Sequence, residues 1–98
     1  MTRPISTYVG GSKVLTSNPV QLVSTSISCK YVWIGVPCDE DGAGTNTKPI
    51  WIGDSESQNI PLLPTDVYGV NIDIDDPSKI YVKGTADDSV IYRIGVCA

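Results

Sequence analysis

Hydrophobic and polar residues alternate along much of this chain, most clearly over residues 67–75. There Tyr68, Val70, Ile72 and Ile74 fall on one side, and Gly69, Asn71, Asp73 and Asp75 on the other. Successive side chains of a strand point to opposite faces, so the run predicts a strand with one dry and one wet face. Asp76-Pro77-Ser78 turns it into an alternating strand over 79–84. Thr85-Ala86-Asp87-Asp88 leads into a last strand over 90–97, with Val90, Tyr92, Ile94 and Val96 on the core side.

Upstream, residues 29–36 are apolar on both parities, Val32, Ile34 and Val36 on one and Cys29, Tyr31 and Trp33 on the other. That predicts a central strand covered on both faces, ended by Pro37. Residues 20–23 and 49–53 predict short strands. Asn18-Pro19 marks a turn, because proline pushes the residue before it out of the helical region. Pro61 and Pro64 restrict 60–64 to an edge or an irregular segment. Between the strands lie a long acidic, glycine-rich loop over 38–48 and a polar loop over 54–59.

Residues 1–12 carry Pro4, Gly10 and Gly11 and few apolar side chains, so they predict an extended N-terminal arm. The remainder, 13–98, is one domain. Six to eight short strands about ten residues apart, with no 3.6-residue period, predict an all-β fold, an antiparallel β-sandwich or jelly roll.

The 98 residues leave room for one core. A chain of this size buries roughly 60–65 % of the surface its unfolded form exposes, a margin that a partner subunit would widen. Phenylalanine is absent, and the aromatic share of the core falls to five Tyr and two Trp. Their polar tips need hydrogen-bond partners, which suits a thin sandwich or an interface.

The net charge is −4, and Arg3, Lys13, Lys30, Lys48, Lys79, Lys83 and Arg93 are scattered singly. Nucleic acid needs a clustered basic face, and none is present. No stretch approaches the ~20 apolar residues of a membrane helix. Met1-Thr2-Arg3-Pro4 lacks the apolar core of a signal peptide, and synthesis and folding in the cytosol are expected. Cys29, Cys38 and Cys97 are odd in number and not spaced C-x-x-C, which predicts free thiols in a reducing compartment.

The chain has no histidine, the commonest general base near neutral pH. Cys38 sits beside Asp39, Glu40 and Asp41, which raise a thiol pKa and oppose activation. No catalytic residue, cofactor or small-molecule substrate is predicted. The groups Asp39-Glu40-Asp41-Gly42 and Asp73-Ile74-Asp75-Asp76 offer hard oxygens for calcium, but neither has the EF-hand spacing, and solubilising acidity is the simpler reading. No metal ligand is assigned. Tyr31, Trp33, Trp51, Tyr68, Tyr81 and Tyr92 could build a carbohydrate platform, although strand-borne aromatics more often serve a core or a subunit contact. Tyr81 alternates with Ile80 and Val82 and is predicted to face outward beside Lys79 and Lys83. The candidate interface residues are Arg3, Tyr8, Trp33, Trp51 and Tyr81.

Several segments occur in a suggestive order. They are Pro19-Val20-Gln21-Leu22-Val23, Ser28-Cys29-Lys30 with the strand after it, Pro49-Ile50-Trp51-Ile52-Gly53-Asp54-Ser55 and Leu62-Leu63-Pro64. Last comes the run over 70–85 that ends Asp76-Pro77-Ser78-Lys79-Ile80-Tyr81-Val82-Lys83-Gly84-Thr85. This order resembles a group of small β-rich bacteriophage virion proteins, found among capsid decoration (cement) proteins and other head or tail accessories. The resemblance covers residues 17–96. It implies a protein of the virion's capsid surface, made in the bacterial cytoplasm, whose partners are the major capsid protein and its own copies. It further implies a homotrimer at local three-fold positions that ties capsomers together, its arm adding a strand to a neighbour. A head–tail connector or tail or fibre module is one alternative. A carbohydrate- or host-surface-binding module is another.

Overall fold

The computed structural model describes residues 5–97, with backbone alone for 5–9 and 97. The strands are β1 (Ile5–Val14), β2 (Val20–Gln21), β3 (Cys29–Gly35), β4 (Ile50–Gly53), β5 (Gln58–Leu62), β6 (Val70–Ile72), β7 (Tyr81–Lys83) and β8 (Ser89–Cys97). A single 3-10 turn, Pro77–Lys79, precedes β7. Among the described residues no helix is long and apolar enough to cross a membrane.

Two four-stranded antiparallel sheets form, in the orders β1-β8-β3-β6 and β2-β7-β4-β5. The pairs β1·β8, β2·β7, β3·β6 and β4·β5 describe one long antiparallel ribbon closed by the β4–β5 hairpin. The ribbon is rolled so that β3 also meets β8 and β4 also meets β7. This is a jelly-roll order, within the class of antiparallel sandwich or jelly roll that the spacing of strands predicts. The molecule is a slab of 41 × 33 × 18 Å, its thin axis set by two stacked sheets about 10 Å apart.

β-branched residues fill the space between the layers, because their stiff side chains suit a pleated surface. Val32, Ile34 and Val36 meet Ile50, Ile52, Val82, Val90 and Ile94, all fully buried. Each is worth about 1.5–3 kcal/mol of apolar burial. Tyr92 and Val96 pack against this core with Val90 and Ile94, as the alternation of β8 requires.

Three expectations are corrected. Residues 1–12 are not an arm apart from the domain, since β1 begins at Ile5 and runs in register with β8, from Thr7 opposite Val96 to Val14 opposite Ser89. An edge strand needs little apolar content, because its contribution is the backbone ladder, and counting apolar side chains overlooks it. Residues 1–4 lie outside the described residues. Second, the strand expected over 67–75 pairs only over Val70–Ile72, and Tyr68 is 92 % exposed instead of facing the core. Gly69 takes a φ of +70° and breaks the pleat before it starts. Ile74 still packs against the core. Third, β3 is not covered on both faces: Val32 and Ile34 are buried between the sheets while Tyr31 and Trp33 are only half-buried on the outer face, and a register shift between Cys29 and Tyr31 leaves Cys29 buried and Lys30 exposed.

Candidate functional site

The same alternation that buries one side of each strand decides what the other side displays. With Val90 and Ile94 inward, β8 sends Ile91, Arg93 and Gly95 outward; with Val32 and Ile34 inward, β3 sends out Tyr31, Trp33 and Gly35. Register then sets them side by side. Gly10, Arg93, Trp33 and Asn71 form one row across all four strands of the sheet, and Gly95 lies opposite Tyr31 in the next.

Glycines let the rings lie against the sheet. A Cβ at Gly95 would run into the Tyr31 ring, and one at Gly35 or Gly69 into the Trp33 indole. The indole Nε1–H donates to the Tyr68 carbonyl at 2.9 Å, which holds the ring in one orientation. The outcome is a shallow depression of about 850 Å³, lined by Gly10, Tyr31, Trp33, Asn71, Ile91 and Arg93. Tyr31, Trp33 and Ile91 are half-buried, while Gly10, Asn71 and Arg93 are exposed.

The other candidates lie elsewhere. Trp51, 38 % exposed, sits on the outer face of the second sheet in register with Pro61 and Lys83. Tyr81 is half-buried there, in register with Gly53 and Gln21, on the outward parity its alternation predicts. A smaller recess of about 300 Å³ is lined by Trp51, Lys83, Lys48 and Pro49. Trp33 and Trp51 therefore occupy opposite faces of the slab and cannot share one contact. Tyr8 pairs through its backbone with Gly95. Arg3 lies outside the described residues. Sequence reasoning missed Asn71, Ile91 and Arg93 as members of the site and named Tyr31 only among the aromatics of a possible carbohydrate platform. Their signal was their position on the off-core parity of strands whose core parity was legible.

The acidic loop is a closed turn. Asp39 Oδ1 accepts from the backbone N–H of Asp41 at 2.9 Å and of Ala43 at 3.0 Å. Its own N–H donates to the Ala43 carbonyl at 2.9 Å, and Gly42 turns the chain at φ +82°. Behind it, buried Asp88 accepts from the N–H of Thr47 at 3.0 Å and of Lys48 at 3.2 Å, and from the Thr47 hydroxyl. Asn46 and Ser89 complete the latch, Nδ2–H to the Ser89 carbonyl at 2.8 Å and the Ser89 N–H to Oδ1 at 2.9 Å. Among the described residues no group of three or more His, Cys, Asp or Glu could hold a metal ion.

Asp76 caps the 3-10 turn. The Ser26 hydroxyl donates to its Oδ2 at 2.5 Å, and the Ser78 N–H and hydroxyl donate to its Oδ1. Those bonds, the Ser26 bond foremost, pull its carboxyl down to about 2. Asp75 and Lys79 form an exposed ion pair at 2.9 Å that lowers the acid and raises the amine. Cys29 is a buried free thiol whose Sγ–H donates to the Ile74 carbonyl at 3.1 Å, and Cys38 is an exposed one.

No protein-family model, no curated protein and no solved structure matches this chain.

Proposed function

We propose that this protein is a structural component of a bacteriophage virion, a capsid decoration protein that acts by binding and not by catalysis. The observation that carries the reading is the grouping of Trp33, Tyr31, Ile91 and Arg93 on one flat sheet face. Tryptophan, tyrosine and arginine are the residues that dominate protein–protein contacts, and charged side chains other than arginine are depleted there. Rings already seated over glycines lose little freedom on docking. The order of segments over 17–96 and the eight-strand jelly roll support the same reading. The fold argument is analogy, since that architecture recurs in viral capsid and lectin domains.

In this role the outer face of β1-β8-β3-β6 seats on the major capsid protein, and contacts between copies of the chain extend the layer. Individually modest contacts repeated over a shell gain avidity. The protein is made in the host cytoplasm and resides at the capsid surface.

The test is reconstitution. Shells lacking the protein are incubated with the wild type or with Trp33→Ala, sedimented, and heated until they rupture. The wild type co-sediments and raises the rupture temperature, while the variant stays in the supernatant. Shells equally heat-resistant with and without bound protein would end the cement role and favour a connector or tail position. A second reading is favoured by Asn71 beside two flat rings, a lining that also suits a sugar ring. Retention of the isolated protein on immobilised glycans would select it.

A further inference from the structure

A jelly roll of two sheets has four edges, and three of them are blunted. β6 presents three residues and β2 two, while β5 carries Pro61. Short strands and prolines are the devices by which sheets avoid pairing with other chains. β1 has neither. It is ten residues long, contains no proline, and its one charged residue, Lys13, is the last but one. It stands at the end of the order β1-β8-β3-β6, so among the described residues no strand pairs with one side of its ladder.

We infer that this edge pairs antiparallel with the β1 of a second copy, giving a two-fold homodimer with one continuous eight-stranded sheet. An identical antiparallel strand is the occupant that satisfies both bare edges in one closed contact. At about 3.3 Å per residue the ladder would run roughly 33 Å. A two-fold axis perpendicular to the sheet keeps the outer faces of both copies on the same side. The aromatic depression reaches the edge strand β1 at Gly10, so pairing across that edge sets the depressions of the two copies side by side in one sheet. The dimer thus presents two docking faces in one plane, and its bivalency replaces the three-fold ring that the resemblance implies. That consequence rests on the shell-binding reading above. The pairing itself is measured on the isolated chain, so either can fail alone.

Alternate N–H groups of a strand point to opposite sides, and from Thr7 to Val14 the pairing with β8 is regular. Native mass measurement of the full chain at tens of micromolar, with residue-resolved amide exchange, is the experiment. The expected result is a dimer in which every amide over 7–14 is protected. A monomer protected at alternate residues, a trimer, or a dimer whose bare-edge amides exchange as fast as a loop's would each overturn the inference. Ser12→Pro and Lys13→Pro add a second check. One of these neighbours removes an N–H facing β8, the other an N–H at the bare edge, so one variant should be a folded monomer. If both stay dimeric and folded, the contact lies elsewhere.

Discussion

Removing the carboxylate of Asp88 should loosen the protein at the junction of two loops far apart in sequence. The residue is 5 % exposed, and its two oxygens receive the N–H of Thr47, the N–H of Lys48 and the Thr47 hydroxyl. Asp88→Ala leaves two backbone donors without partners, and each orphaned donor costs about 1–3 kcal/mol when water cannot replace the acceptor. Thr47 and Lys48 are themselves exposed, so solvent recovers part of the loss. The hydroxyl can rotate to water. We expect a loss of about 2–3 kcal/mol, or roughly 10–20 °C in Tm for a domain of this size. Asp88→Asn keeps one acceptor for Thr47 but turns an amide toward the Lys48 N–H, and should lose about half as much. Urea unfolding followed by tryptophan fluorescence, with the slope unchanged, reads both values. An Asp88→Ala protein within about 0.5 kcal/mol of the wild type would refute the anchoring argument. Equal losses in the two variants would show that shape, and not the number of acceptors, matters.

Three further outcomes follow from the packing and the charges. Ile52→Ala, at a fully buried position between the sheets, should lower stability by about 2–5 kcal/mol in the same urea assay. Asp76 has its carboxyl depressed from 3.8 to about 2, so its contribution is complete above pH 4 and is lost as pH falls toward 2. In Tm measured between pH 5 and 2, Asp76→Asn should therefore be less stable than the wild type at pH 5 and converge on it near pH 2. A Cβ at Gly35 runs into the Trp33 indole, so Gly35→Ala should lift the ring from the sheet, shift its emission, and cost about 1–3 kcal/mol.

The elements legible in the sequence were those written in local alternation. The core parity of β8 followed from Val90, Tyr92, Ile94 and Val96 alone, and the outward parity of Tyr81 from its neighbours. Pro61 and Pro64 restricted 60–64 to an edge or an irregular segment, and the spacing of strands was enough for an all-β sandwich. Period two is a property of consecutive residues, and burial of one face selects it without reference to any partner. Apart from the arm expected over 1–12, the misreadings fell on strands where that rule is interrupted or one face lies open, in β3 with its bulge beside Cys29 and at the positive φ of Gly69.

Pairing was decided by the tertiary structure. β1 is poor in apolar side chains and is held by its backbone ladder to β8, and backbone N–H and C=O groups are the same in every residue. Register placed Arg93 beside Trp33 and Asn71, and assembled the depression from strands that are distant along the chain. It also put Trp33 and Trp51 on opposite faces, although both are strand tryptophans in the sequence. Alternation states which way a side chain points. Which neighbours it meets depends on how the ribbon rolls, and that is settled by the fit of Val32, Ile34, Ile50, Ile52, Val82 and Ile94 between the two layers.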